Sequence, residues 1–139
     1  MNALMKTAFA AATLLSLNLA HAADLTIHID DVKSTSGNVL VAVYNSEGSF
    51  LKQPAKTNGT AAATPGSTVV IKDLPEGEYA FAVYHDANAN GKMDKNIIGI
   101  PTEDYAFSNN AMGKMGPPNY ASARITVAAA GTTARVSLK

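Results

Sequence analysis

The chain has 139 residues, with 11 Lys and Arg against 11 Asp and Glu, and no cysteine or tryptophan. A balanced charge offers nothing to steer it toward nucleic acid or anionic lipid. The missing cysteines exclude a disulfide framework and thiolate chemistry.

The chain opens as a leader. Lys6 supplies a positive start, Ala8 to Leu19 is an apolar run, and Ala20-His21-Ala22 fits a small-x-small cleavage site. Residues 1–22 are therefore expected to be a secretory signal peptide. Residues 23–139 are expected to form a single domain in the bacterial periplasm, or secreted beyond it. The apolar run is too short to anchor in a bilayer, and no later segment is long enough, so no membrane insertion is expected. With no cysteine after the cleavage site, no lipid anchor is expected there either.

Beyond residue 23 the dominant period is two. Leu25, Ile27 and Ile29 alternate with Thr26, His28 and Asp30. Ser34 to Asn38 break the chain. Val39 to Tyr44 is continuous and β-branched, as in a strand covered on both faces. Asn45 to Ser49 turns, and Phe50 and Leu51 are expected to fold back on the core edge. Residues 52–66 carry at most a short edge strand near Thr60–Ala63. Thr68 to Lys72 is the next strand. Leu74-Pro75-Glu76-Gly77 then reads as a tight turn with glycine in the left-handed position, pairing this strand as a hairpin with Glu78 to His85. In that second arm Tyr79, Phe81, Val83 and His85 share one face. Residues 86–120 form one long ordered loop, with Ile97, Ile98, Ile100, Tyr105, Phe107 and Tyr120 as expected anchors. Strands resume at Ala123–Val127 and Thr132–Leu138. The expected fold is all-β, a Greek-key sandwich of six to seven strands.

Asp73-Leu74-Pro75-Glu76-Gly77-Glu78-Tyr79 resembles the corresponding stretch of transthyretin-like and carboxypeptidase regulatory-like sandwiches. The order continues as Ala82-Val83-Tyr84-His85-Asp86, Asn88, Asn90-Gly91-Lys92 and Asp94. Then come Gly99-Ile100-Pro101, Tyr105, Phe107-Ser108-Asn109-Asn110-Ala111 and Gly116-Pro117-Pro118. With Gly37 to Tyr44, this whole pattern resembles the bacterial exported domain-of-unknown-function family 2141. That resemblance implies a secreted β-sandwich and no assigned activity.

Specific chemistry is legible at Asp86–Asp94. Asp86, Asn88 and Asn90 sit at the first, third and fifth positions of a calcium loop, Gly91 at its sharp turn, Lys92 where a backbone carbonyl ligates, and Asp94 at the ninth position. Ca2+ takes six to eight oxygens, so this spacing suits it. Ile97 stands where a bidentate glutamate would close an EF-hand, so the loop is not one. Glu103 or Asp104 is the expected replacement. With two neutral amides among the ligands, affinity should sit near about 10⁻⁴–10⁻³ M. The alternative is an Asn/Gly-rich turn whose amides bond their own backbone.

Other groupings are weaker. His85, Met93, Met112 and Met115 are soft enough for Cu(I), yet they lack any paired spacing, and the methionines suit loop filling. Tyr105 and Phe107 with Asn109 and Asn110 offer a recognition surface for a glycan or small molecule. Packing of the loop onto the sandwich explains them equally well. Ser49, Ser108 and Ser122 lack nucleophile context, so no enzyme is expected and a hydrolase ranks last. The expected role is an exported binding or accessory module for a protein or glycan partner, holding one Ca2+.

Overall fold

The computed structural model describes residues 21–139. The expected leader lies outside the described residues except for His21 and Ala22, and Ala22 already opens the first strand.

Eight strands form two sheets. Sheet I holds β4 (Gly66–Pro75), β1 (Ala22–Asp30) and β8 (Thr132–Ser137), in that order. Sheet II runs β3 (Lys56–Ala61), β2 (Asn38–Tyr44), β5 (Gly77–Asp86) and β6 (Tyr105–Phe107), with β7 (Ile125–Val127) also paired to β5. All pairings are antiparallel except β1 with β8. The chain crosses between sheets from β1 to β2, β3 to β4, β4 to β5 and β7 to β8, which gives the Greek-key character expected. Among the described residues no helix is long and apolar enough to cross a membrane.

Alternation places the core as expected. Leu25, Ile27 and Ile29 of β1 are fully buried, facing Val39, Val41 and Val43 of β2 and Tyr79, Phe81 and Val83 of β5. Each such side chain contributes roughly 1.5–3 kcal/mol by leaving water. Val136 and Leu138 complete this layer from the C-terminal end.

A second cluster covers the outer face of sheet II. Tyr44, Phe50, Ala80, Phe107, Tyr120 and Ala123 pack there. Phe50 is its centre, meeting Tyr44, Phe107 and Tyr120 edge-on at 5.4, 6.4 and 5.8 Å between ring centroids. This is why β2 reads as apolar on both faces. Phe50 does fold back, while Leu51 stays 36% exposed.

Four expectations need correction. First, Leu74 to Gly77 does not close a hairpin. β4 pairs with β1 and β5 with β2, so the turn is an arch between sheets. Asp73 takes a left-handed conformation (φ 57°) four positions before Gly77, the first residue of β5, whose own φ is 156°. Second, the long loop contains a strand, β6, which raises the count to eight. Third, Tyr120–Ala123 is one helical turn capped by Asn119, whose Oδ1 accepts the Ser122 N–H at 2.9 Å, so Ala123 precedes rather than starts β7. Fourth, Ile97, Ile98 and Ile100 do not anchor anything. They are 103%, 74% and 55% exposed.

The free edges of β3 and β4 face one another across a cleft of about 500 Å³. Side chains bridge it. Lys56 Nζ donates to the Lys72 and Asp73 carbonyls, and Asn58 Nδ2 donates to the Val70 carbonyl at 2.8 Å. Carbonyls that would otherwise template a foreign strand are thereby occupied.

Candidate functional site

The candidate site begins where β5 ends. Asp86 is the last residue of that strand and is 1% exposed. A carboxylate so placed must find donors. It finds them in the turn that follows. Its Oδ1 accepts the Asn90 N–H at 3.1 Å and its Oδ2 the Gly91 N–H at 2.8 Å. Ala89 (φ 54°) and Gly91 (φ 76°) take left-handed conformations to curl the backbone over this carboxylate.

The amides continue the pattern. Asn88 Oδ1 accepts the Asn90 N–H at 3.3 Å, and Asn90 Oδ1 accepts the Lys92 N–H at 2.9 Å. Each of these oxygens retains a second lone pair. Both amide nitrogens converge on Asp94: Asn88 Nδ2 donates to Oδ2 at 2.6 Å, and Asn90 Nδ2 donates to Oδ1 at 2.8 Å.

Glu103 enters from the returning arm of the loop. Its Oε2 accepts the Asp94 N–H at 3.0 Å, while Thr102 N–H donates to the Asp94 carbonyl at 2.9 Å. Glu103 Oε1 is buried and has no hydrogen-bond partner. Asp104 turns away, pairing with Lys33 Nζ at 2.8 Å. Of the two carboxylates expected to complete the ligand set, Glu103 alone meets Asp94.

Tyr84 reports the resulting field. Burial pushes its hydroxyl above the ordinary tyrosine range, and Asp86, Glu103 and Asp94 push it further. Three carboxylates therefore act on one phenol. The sequence reading missed Tyr84 as part of this site. Its position two residues before Asp86, on the outer face of β5, was the available signal.

Thus Asp86, Asn88, Asn90 and Asp94 are joined by one hydrogen-bond network, with Lys92 held through its N–H and Glu103 through Asp94. Among the described residues no group of three or more His, Cys, Asp or Glu side chains forms a metal-holding cluster. The donor set here differs in kind, because amide and carbonyl oxygens supply half of it. Asp94 is solvated by the Asn88 and Asn90 amide N–H groups and keeps its charge.

The soft-ligand set is scattered, and the aromatic and amide set packs against the sandwich. His85 is buried, with Nε2 at 2.7 Å from the Ser36 carbonyl, while Met112 and Met115 are exposed on a different loop. Phe107 is buried and Tyr105 meets it edge-on at 5.7 Å. Asn109 Nδ2 donates to the Ser122 and Arg124 carbonyls, and Asn110 Oδ1 accepts the Ser137 N–H. These four residues tie the loop to the sandwich.

A family model described as an uncharacterized protein conserved in bacteria, DUF2141, matches residues 27–135. No curated protein and no solved structure matches the chain.

Proposed function

The chain belongs to the DUF2141 family, and from that premise we propose that it is an exported binding module whose 86–104 loop is ordered by one Ca2+. The observation that carries this reading is Glu103 Oε1, a buried carboxylate oxygen without a partner beside Asp94. A cation would satisfy it. The ligands are Asp86, Asn88, Asn90, the Lys92 carbonyl, Asp94 and Glu103. An ion held there would supply the counter-charge that Asp94, which accepts only neutral amide N–H groups from Asn88 and Asn90, lacks. Oxygen donors of mixed charge in an irregular loop suit Ca2+ better than Mg2+, which demands tighter octahedral geometry.

Order in the loop is what the ion contributes. The loop is the surface through which such a module meets a partner, because irregular segments on a rigid sandwich carry recognition. Its partner is a protein or a glycan, which a pull-down and a sugar array distinguish.

The test is calorimetry on metal-stripped protein. Titration with Ca2+ is expected to give one site, lost in Asp86→Asn. Absence of binding heat and of any thermal shift at millimolar Ca2+ would overturn the reading. The loop would then be a turn braced by its own amides.

A further inference from the structure

The chain holds two Asn-Gly pairs, Asn58-Gly59 and Asn90-Gly91. Such a pair is chemically special, because glycine carries no side chain to keep its nitrogen away from the carboxamide of the asparagine before it. Attack of that nitrogen on the asparagine Cγ closes a cyclic imide and expels ammonia. The structure surrounds the two pairs differently.

Asn90 lies in the exposed turn after β5, and its carboxamide is held at both ends. Oδ1 accepts the Lys92 N–H at 2.9 Å, and Nδ2 donates to Asp94 Oδ1 at 2.8 Å. A bond from the side chain of residue 90 to the nitrogen of residue 92 folds that side chain over the intervening peptide, so Cγ lies alongside the Gly91 nitrogen. That nitrogen is the nucleophile, and its hydrogen points at a base: Gly91 N–H donates to Asp86 Oδ2 at 2.8 Å. A Cβ at Gly91 would meet nothing within 4 Å, so the ring has room to form and water has access to open it.

Three groups therefore sit where the reaction needs them. Asp86 Oδ2 is within proton-transfer reach of the nucleophile. The Lys92 N–H is aimed at the oxygen on which negative charge develops as the nitrogen adds. Asp94 orients the departing nitrogen. At Asn58-Gly59 the nucleophile meets no carboxylate. Gly59 N–H donates to Asn58's own Oδ1 at 2.9 Å, and Asn58 Nδ2 is engaged by the Val70 carbonyl, all within the extended β2–β3 ladder.

We propose that Asn90-Gly91 is a self-deamidating site, with Asp86 as its base and the Lys92 N–H as its oxyanion donor. The Gly91 nitrogen gives its proton to Asp86 and bonds to Asn90 Cγ. The Cγ–Nδ2 bond breaks, and Nδ2 leaves as ammonia with the proton returned by Asp86. The cyclic imide then takes up one water. Opening at Cγ leaves an aspartate in place of Asn90; opening at the backbone carbonyl carries the chain through the side chain as isoaspartate. The first product exchanges a neutral ligand of the proposed Ca2+ loop for a charged one. Only this consequence rests on the Ca2+ reading; the chemistry stands apart from it.

The test incubates the protein in EDTA at neutral pH, folded or unfolded in urea, and maps its peptides by mass spectrometry over time. Asn90 is expected to convert roughly tenfold faster than Asn58, and roughly tenfold faster in the folded chain than in urea. Asp86→Asn keeps an acceptor for the Gly91 N–H and removes the base, so conversion at Asn90 should fall to the rate seen in urea. Should that variant fail to fold, the two pairs and the two states of the unaltered chain still decide. No conversion at Asn90, or a rate no greater folded than unfolded, would overturn the proposal. So would an undiminished rate in folded Asp86→Asn. Calorimetry then compares Asn90→Asp with the unaltered chain. Roughly tenfold tighter Ca2+ binding is expected. Equal affinity would overturn the link to the ion, and absence of binding heat from both would sink the Ca2+ reading alone.

Discussion

Gly37 shows how little room the site leaves at its root. It has φ 67°, and a Cβ there would lie 1.9 Å from the Asp86 carbonyl oxygen. The start of β2 and the end of β5 meet at this point, Asn38 opposite Asp86. Gly37→Ala must therefore open the sheet exactly where the acidic loop departs. It is expected to cost about 2 kcal/mol or more, read as a lower urea midpoint. Glu103 invites a variant of opposite sign. In metal-free protein Glu103→Gln keeps an acceptor for the Asp94 N–H and removes one of three neighbouring negative charges. Its unfolding temperature should not fall without Ca2+, while its Ca2+ affinity should weaken roughly tenfold or more. Tyr84 supplies a readout of the same field. Ca2+ held as proposed would neutralise carboxylates that raise its pKa, so Ca2+ is expected to shift its ionisation toward lower pH. A spectrophotometric titration with and without the ion checks this.

At the scale of elements, one buried hydroxyl helps to hold the excursion between β6 and β7. Ser108 is fully buried, accepts the Phe81 N–H at 3.0 Å and donates to the Ala123 carbonyl. It thus joins the two ends of the segment to the middle of β5. Ser108→Ala leaves both backbone groups unpaired in a dry place and should destabilise by about 1–3 kcal/mol. Chemical denaturation measures it. Packing of Phe107, Asn109 and Asn110 onto the sandwich was one of two roles legible in the sequence, whereas the buried Ser108 was not, because a serine carries no local mark of the backbone groups it will meet. The arch at Leu74 to Gly77 was not legible. Its proline and glycine signal a reversal, and a reversal within a sheet uses the same residue types as one between sheets. Only the partners of β4 and β5 decide which it is.

For the whole molecule, stability is expected to depend on Ca2+ and on pH. If the loop holds Ca2+ as proposed, the ion at about a hundredfold over its Kd should add about 2.7 kcal/mol to folding by mass action, a shift of several degrees in Tm. Differential scanning calorimetry with Ca2+ against EDTA reads it. Alkali acts in the other direction. Burial raises the pKa of Tyr44, Tyr79, Tyr84 and Tyr120 above the ordinary 10.0. A folded pKa above the unfolded one means that the folded state holds its phenolic protons longer. Their contribution is intact below pH 10 and is lost as pH rises through the folded values. Stability is therefore expected to fall above pH 10, followed by urea melts across that range.

The strand alternation, the buried Val39–Val41–Val43 stripe and the oxygen-bearing spacing from Asp86 to Asp94 were set by the sequence alone, because a period of two and an Asx turn are local properties of neighbouring residues. Tertiary structure decided the rest. It assigned β4 and β5 to different sheets, brought Glu103 rather than Asp104 to Asp94, and left Ile97, Ile98 and Ile100 in solvent. Each of these depends on which distant segment lies alongside, and an apolar residue carries no mark of whether the chain itself or something outside it will cover it.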